Sequence, residues 1–350
     1  MHYNKYMKKH KRKTSGELTK NHYIFIVVAI AMSFALIGIA AKSYLSINSN
    51  KITISSKISK AQIILPKYVA AVGDIACDPT ESAANRTVPT KCQDAKVADA
   101  IYKFGPEKLL LLGDLQYSNG SLAKFQQAFN TNWSKFVPID LPAPGNHEYE
   151  TKGASGYFDN FNGPNLASGI AGNRGQGSYH ASIGEWSVYS LNSNCKDIGG
   201  CEPGSLQYAW LESELTKDAA ICKLAYWHHP LFSSSKHGAD VADTSRMVKV
   251  WDLLQKYKTS IVLNGHDHVY ERFALQNSTG QADAMGMRQF TVGTGGKDLY
   301  AKVTNKPNSE FFENTNFGYL ELTLGINKYD WKFNNVAGQV LDQGDGSCTK

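Results

Sequence analysis

The feature that most constrains this sequence is a recurring pattern in which an apolar run ends in a cluster of polar residues. The runs are KYVAAVGD at 67–74, KLLLLGD at 108–114, CKLAYWHH at 222–229 and SIVLNGHDH at 260–268. Short, β-rich apolar runs of this kind are typical of buried strands. Helical patterns lie between them, at 94–104, 121–133, 205–219 and 241–257. This alternation indicates an α/β domain, in which ligands bind beyond the carboxyl ends of the strands.

Beyond residue 270 the pattern changes to strands separated by turns, at 288–296 and 317–333. The change predicts a β-rich second half within the same domain. A length of 350 residues and a hydrophobic fraction of 42% are ample for one large core.

The polar clusters at the strand ends are the candidates for chemistry. They are GD at 73–74, GDLQY at 113–117, GNHE at 145–148, HHP at 228–230 and GHDH at 265–268. Taken singly, an Asp or His after a strand is more often a turn or capping residue than a ligand. Five such clusters in one chain, each after an apolar run, predict a single site on one rim of the sheet.

In their order and composition these clusters resemble the calcineurin-like metallophosphoesterases, and most of all their purple acid phosphatase branch. The resemblance runs from about residue 68 to 296 and includes HVYER at 268–272. It implies a mixed two-sheet β-sandwich flanked by helices, with a dinuclear metal centre between loops at one edge. Two cations about 3.5–4 Å apart repel each other, so a bridging carboxylate is needed between them.

The resemblance also assigns the metal ligands. Asp114 would bridge the ions. One ion would be held by Asp74, Tyr117 and His268, and the other by Asn146, His228 and His266. The family pattern His-x-Pro selects His228 as the ligand and leaves His229 as a structural neighbour.

Tyr117 narrows the identity of the metals. A phenolate is a hard, basic oxygen ligand that suits Fe(III) better than Zn(II) or Mg(II). Many relatives have a His two residues after the first Asp, where this chain has Ala76. The sequence therefore predicts Fe(III) beside a divalent ion. The second ligand set is compatible with Zn, Fe or Mn and does not decide which of them is bound.

The reaction implied is hydrolysis of phosphate monoesters by attack of a metal-bound hydroxide. His147 would hydrogen-bond the substrate or protonate the leaving alkoxide. His237 resembles another outer-sphere histidine of the family, and the alternative for it is an exposed histidine in a loop. Two alternatives stay open at this point. One is a phosphodiesterase or nucleotidase with the same dinuclear site, and the other is an inactive surface binding module that keeps its metals.

The N-terminal residues predict that the rest of the chain is exported from the cytoplasm. Residues 23–41 form an uncharged apolar stretch that would be about 28 Å long as a helix, close to the thickness of a bilayer core. Residues 1–21 carry seven Lys or Arg against one acid, which orients the tail to the cytoplasm. The stretch is either an uncleaved membrane-spanning anchor or a signal peptide cleaved near Gly38–Ala41.

These observations divide the chain into a basic cytoplasmic tail at 1–21, a transmembrane signal-anchor or signal peptide at 22–42, a linker at 43–66 and a metallophosphoesterase domain at 67–350. The catalytic domain is expected outside the cytoplasm, either anchored or secreted. The formal charge of +6 is that of the tail alone, so it gives no sign of a nucleic-acid partner. The expected partners are a small phosphorylated substrate and the membrane, and the oligomeric state stays open.

Export gives the six cysteines a structural meaning, because disulfides persist in oxidising compartments. All six lie beyond the apolar stretch. Short loops favour Cys77–Cys92 and Cys195–Cys201, which leaves Cys222 to pair with Cys348 near the C-terminus.

Overall fold

The computed structural model describes residues 43–48, 51–56, 65–81, 88 and 91–349. Within the segment predicted as a linker, strands Ser43–Asn48 (β1) and Lys51–Ser56 (β2) pair antiparallel in a unit of their own. The second unit begins at residue 64 and contains every residue of the candidate site.

The predicted span at 22–42 lies outside the described residues. Among the residues that are described, no helix has the length and apolar character needed to cross a membrane. The anchor and the signal peptide therefore stay predictions.

The strands of the second unit are Lys67–Val72 (β3), Lys108–Leu112 (β4), Asp140–Ala143 (β5), Ser168–Gly169 (β6), Gly172–Asn173 (β7), Tyr179–Ile183 (β8), Trp186–Ser190 (β9), Cys222–Tyr226 (β10), Ile261–Asn264 (β11), Tyr270–Phe273 (β12), Arg288–Val292 (β13), Ser309–Glu313 (β14), Gly318–Leu324 (β15), Lys328–Asn335 (β16) and Val340–Ser347 (β17). Its α-helices are Asp94–Phe104 (α1), Leu122–Lys124 (α2), Asn130–Trp133 (α3), Asn146–Tyr149 (α4), Ser155–Phe161 (α5), Leu206–Lys217 (α6), Val241–Thr244 (α7) and Val248–Lys256 (α8).

The longer strands form two mixed sheets. The first has the order β17-β16-β15-β3-β4-β5, in which β3, β4 and β5 are parallel. The second has the order β14-β12-β13-β11-β10-β9-β8, in which β9, β10, β11 and β13 are parallel. Each parallel block is extended by antiparallel strands, so the carboxyl ends of the parallel strands in each sheet meet at one edge.

The two sheets share one core. Val69 and Leu110 of the first sheet belong to the same cluster of buried side chains as Leu224 and Leu263 of the second. Because successive side chains of a strand point to opposite faces, the residues between them are directed away from this core. The result is a two-sheet sandwich.

The outer faces of the sandwich are covered by helices. Ala70 and Leu109 of the first sheet pack with Val97 and Ile101 of α1. On the second sheet, Val262 and its neighbours pack with Leu211 of α6 and Trp251 of α8. The expected architecture, an α/β fold with two mixed sheets flanked by helices, is confirmed.

Two local predictions are corrected. The helical pattern at 241–257 is broken, because α7 ends at Thr244 and α8 begins at Val248. The segment 121–133 is helical but contains a π-helical turn at Phe125–Phe129. Strand β5 was missed because it is short and contains Pro142, a residue that weakens a strand pattern.

The predicted disulfides are present. Cys77 pairs with Cys92, Cys195 with Cys201, and Cys222 with Cys348. The third joins the start of β10 to the residue that follows β17, and so links the second sheet to the edge strand of the first.

Removal of Cys222–Cys348 should destabilise the domain more than removal of Cys195–Cys201. The two bridges close loops with sequence separations of 126 and 6. Loop-closure entropy then assigns them about 5 and about 2 kcal/mol. Denaturant unfolding of the two double-alanine variants, without reductant, measures the difference. Equal losses would show that chain entropy does not govern the effect.

Candidate metal centre

Three of the predicted ligands lie in turns directly after strands. Asp74 and Asp114 are two residues beyond the ends of β3 and β4, and His266 is two residues beyond β11. All three have left-handed backbone, with φ of 60°, 50° and 70°. Such a conformation costs on the order of 1–3 kcal/mol and persists where surrounding contacts hold it. The turns bring these side chains together at the edge where both sheets end.

The first group of contacts surrounds Tyr117. Its hydroxyl is 2.8 Å from Asp74 Oδ1, 3.1 Å from Asp114 Oδ2 and 2.9 Å from His268 Nε2. All four side chains are buried. The residues predicted to hold one ion thus converge on one point.

The second group surrounds His228. Its Nε2 is 3.1 Å from Asp114 Oδ2, 3.1 Å from Asn146 Oδ1 and 3.2 Å from His266 Nδ1. Asp114 Oδ2 is therefore common to both groups. The structure brings all seven predicted ligand residues into one cluster, with Asp114 at its centre.

Backbone carbonyls orient two of the three imidazoles. His228 Nδ1 is 2.9 Å from the Leu112 carbonyl oxygen, and His268 Nδ1 is 2.6 Å from that of Asp298. A neutral imidazole that donates its Nδ1–H to a carbonyl keeps its Nε2 lone pair free. In both residues it is Nε2 that faces the cluster.

The electrostatics of the cluster suit cations. Burial and the carboxylates of Asp114 and Asp74 raise the pKa of Tyr117 well above its ordinary value, so a phenolate here needs a cation beside it. Burial opposes charge on His228, yet Asp114 raises its pKa to about 9. Burial would likewise raise the pKa of Asp114, but His228 and His147 hold it well below its usual range.

The donor set also fits metal ions. Ligand atoms of Asp74, Asp114 and His228 lie within 4.8 Å of one another. Carboxylate, phenol and amide oxygens with imidazole nitrogens form a hard to borderline set, suited to Fe, Mn or Zn. A Cβ on Gly145 would collide with the Asp114 carboxylate, so only glycine leaves room for that carboxylate here.

Glu148 holds the two loops of the cluster together, a role that the sequence alone does not reveal. Its carboxylate accepts hydrogen bonds from the backbone N–H groups of Asp114, Leu115, Gln116 and Gly145, at 2.7–3.2 Å. Burial and the nearby Asp114 raise its pKa to about 7, although these donors oppose the rise. It is fully buried at the start of α4, beside Asn146 and His147.

The two predicted catalytic histidines border one small cavity of about 110 Å³, together with Asp114, Lys236 and Tyr300. His147 donates its backbone N–H to Asp114 Oδ1 at 2.8 Å, and its ring nitrogen Nδ1 is 2.5 Å from the Ser118 carbonyl oxygen. The His237 ring lies 4.1 Å from that of His266. Both rings are partly exposed, so they are accessible from the cavity.

Two further side chains of this cavity were not found from the sequence. The Tyr300 ring stacks on His268 at 3.9 Å, and the Lys236 ammonium lies 4.7 Å above the Tyr300 ring. Tyr300 lies in an irregular loop without a motif, which explains why no pattern identified it. Lys236 stands beside His237 but carries no signal on its own.

His229 takes no part in the Asp114 contacts. Its Nδ1 is 2.7 Å from Ser193 Oγ, and burial together with the neighbouring His266 lowers its pKa well below the ordinary value. It packs behind His266, with ring centres 4.4 Å apart. The position agrees with the supporting role predicted for it.

With the site described, comparison with known proteins identifies the family. A model of the calcineurin-like phosphoesterases matches residues 68–270, more than half of the chain. The chain belongs to the calcineurin-like phosphoesterase family. The matched range contains all seven clustered side chains, from Asp74 to His268.

Within this family of phosphoesterases the chain is distantly related to plant purple acid phosphatases. Probable purple acid phosphatase 20 of Arabidopsis thaliana is 25% identical over 264 residues, which are 70% of this chain and 59% of the relative. The Fe(3+)-Zn(2+) purple acid phosphatase 12 of the same plant is 25% identical over 275 residues, 68% of this chain and 56% of the relative. The chain thus spans a little over half the length of these relatives.

A solved structure shares the fold. The purple acid phosphatase PPD1 from yellow lupin seeds superimposes with a TM-score of 0.61 at 21% identity, over 81% of this chain and 54% of that one. Two other Arabidopsis relatives, 26% and 24% identical over 40% and 69% of this chain (24% and 42% of the relatives), carry names that describe them as probable inactive purple acid phosphatases. Membership of the family therefore does not by itself establish activity.

Divalent cations should stabilise the domain through Asp114. A cation that binds only the native state adds about 2.7 kcal/mol at 100 times its dissociation constant. We expect a higher melting temperature with Mn²⁺ or Zn²⁺ than with chelator. Asp114→Asn should lose most of this increment, because it removes the carboxylate common to both contact groups.

The matched control is Asp78→Asn. Asp78 is also a buried acid, but its carboxylate bonds Lys124 at 2.6 Å, outside the cluster. This variant should keep the full metal-dependent increment, as measured by calorimetry with and without the ion. An increment in Asp114→Asn equal to that of the wild type would refute the assignment.

Proposed function

We propose that the domain hydrolyses phosphate monoesters, outside the cytoplasm, at a dinuclear centre of Fe(III) and a divalent ion. The observation that carries the proposal is the position of the Tyr117 hydroxyl, 2.8 Å from Asp74 Oδ1 and 2.9 Å from His268 Nε2. A phenolate among carboxylates suits Fe(III) far better than a divalent ion. The name of one relative, Fe(3+)-Zn(2+) purple acid phosphatase 12, supports the same pair of metals.

The residues divide between the two ions as their contacts suggest. Asp74, Tyr117 and His268 would hold Fe(III), Asn146, His228 and His266 would hold Zn, Fe or Mn, and Asp114 would serve both. When bound, the ions supply charge neutralisation for the phosphoryl group and acidify a water molecule.

His147 is suited to donate a proton at the leaving oxygen. Because its Nδ1 lies against the Ser118 carbonyl, that nitrogen carries a proton, and Nε2 carries one only in the imidazolium form. Nε2 is 3.8 Å from Asp114 Oδ2, so this nitrogen is the one that faces the proposed centre. General acid catalysis by such a group contributes about 10²–10⁴-fold.

Lys236 and His237 line the wall of the same cavity on the other side. A phosphoryl group that enters would meet the Lys236 ammonium, which is held over the face of Tyr300. The His237 backbone N–H donates to Asp267 Oδ1 at 3.0 Å, which keeps the loop of both residues against the GHDH segment. These groups would bind and orient the phosphate.

The location outside the cytoplasm rests on the three disulfides, since such bonds persist in oxidising compartments. Anchorage through residues 22–42 or secretion after cleavage are both compatible with this location.

A second candidate function is a metal-containing binding module without activity, favoured by the relatives that are named as inactive. Activity separates the two. Asn146→Ala or His266→Ala should lower hydrolysis of nitrophenyl phosphate by at least about 100-fold, because even residues behind the ligands of a metal cost 10–100-fold. His180→Ala, which removes an exposed imidazole in β8, should leave the rate unchanged. A wild type that is inactive with both metals supplied would favour the binding module, and full activity in either variant would refute the site.

The same assay separates the ester classes. Turnover of nitrophenyl phosphate should exceed that of bis(nitrophenyl) phosphate. A preference for the bis-ester would identify a phosphodiesterase that uses the same site.

Colour tests the ferric assignment. A Tyr–Fe(III) bond gives a visible charge-transfer absorption, so the oxidised protein should be coloured and Tyr117→Phe should be colourless. Tyr300→Phe is the matched control, because Tyr300 stacks on His268 but is not one of the proposed ligands. It should keep the band. A colourless, active wild type that contains only divalent ions would exclude Fe(III) and leave the phosphoesterase proposal intact.

A further inference from the structure

Asp243 contacts two histidines of the site from outside the metal cluster. Its Oδ2 is 3.1 Å from His266 Nε2 and 3.3 Å from His237 Nδ1. The residue is partly buried in α7, the short helix that separates the loop of His237 from α8. No sequence motif marks it.

His266 differs from the other two predicted imidazole ligands in how it is oriented. His228 and His268 each direct Nδ1 to a backbone carbonyl and Nε2 to the cluster. In His266 the roles are reversed, because Nδ1 faces His228 and Nε2 faces the Asp243 carboxylate. Of the three, it is therefore the one whose orientation depends on a side chain.

The carboxylate decides which nitrogen can serve as a ligand. A neutral imidazole carries one proton, and the carboxylate acceptor at Nε2 keeps that proton there. The Nδ1 lone pair is then free and points at the cluster. A carboxylate in this position also raises the basicity of the ligating nitrogen.

Asp243 is itself held in place. Its other oxygen, Oδ1, forms an ion pair with Arg246, whose second guanidinium nitrogen donates to the Ser193 carbonyl oxygen at 3.2 Å. Ser193 lies next to the loop closed by the Cys195–Cys201 disulfide. The carboxylate is thus fixed between α7 and a loop of the second sheet.

We infer that Asp243 is a positioning residue that fixes the Nε2–H tautomer of His266 and so sets the affinity of the second metal position. The inference rests on the proposed dinuclear centre. Asp243 contacts neither the reacting atoms nor the Tyr117 group. Its loss should therefore weaken the binding of the second ion and leave the binding of the first unchanged.

The test compares Asp243→Asn with Asp240→Asn in the full-length protein. Asp240 lines the same polar cleft of about 510 Å³, but its carboxylate accepts from the Ala242 amide at 2.8 Å and caps α7. Asparagine caps a helix as well as aspartate does, so both variants should fold. Each removes one negative charge from the cleft.

Titration of Zn²⁺ or Mn²⁺, with metal content measured after dialysis, gives the first result. We expect Asp243→Asn to lower the affinity for the divalent ion by about 10- to 100-fold and to retain the first ion. Its kcat should recover when the divalent ion is saturating. Asp240→Asn should bind within about twofold of the wild type. Equal behaviour of the two variants, or loss of both ions in Asp243→Asn, would overturn the inference.

Nitrogen NMR of ¹⁵N-histidine in the metal-free protein gives a second, independent result. The His266 signals should report the Nε2–H tautomer in the wild type and in Asp240→Asn, and a mixture of tautomers in Asp243→Asn. A His266 signal that is the same in all three would overturn the inference. A wild type that binds fewer than two ions would instead refute the proposed centre, and the NMR comparison would still decide the role of Asp243.

Discussion

The position of the Asp114 carboxylate is the constraint on which the rest of this site depends. One oxygen accepts the His147 amide at 2.8 Å, and the other lies 3.1 Å from both the Tyr117 hydroxyl and His228 Nε2. Asp114 and Tyr117 follow β4 of the first sheet, whereas His228 follows β10 of the second. The site therefore exists only while the two sheets keep their relative position, which the shared core between Leu110 and Leu224 provides. The geometry of the site at the rim thus depends on side-chain packing between the two sheets.

The cost of this arrangement is electrostatic as much as steric. Asp74, Asp114 and Glu148 are all buried and lie in one set of contacts, and burial of like charges disfavours ionisation. Each of these carboxylates is stabilised by different partners. Four backbone amides solvate Glu148, while imidazoles and a phenol surround Asp114 and Asp74. Glu148 therefore holds the loops in place, whereas the oxygens of Asp74 and Asp114 face the other predicted ligands.

The sequence predicted those parts of the molecule that leave a local signature. Asp74, Asp114 and His266 end apolar runs, and the pairing of short cysteine loops left Cys222 and Cys348 as partners. Residues that reach the site from irregular segments left no such trace. Tyr300 stacks on His268 from a loop, and Asp243 arrives because α7 and α8 are separate where the apolar period suggested one helix. Contacts between distant segments are set by packing, and a single sequence does not record them.

The left-handed backbone at Asp74, Asp114 and His266 has an evolutionary consequence. Glycine adopts such φ angles without cost, whereas aspartate and histidine occupy them at some expense. A descendant released from selection for a metal centre would therefore gain stability from the glycine substitutions that remove the predicted ligands. The same substitutions would then remove the predicted metal site and stabilise the fold, so the fold would persist without the site.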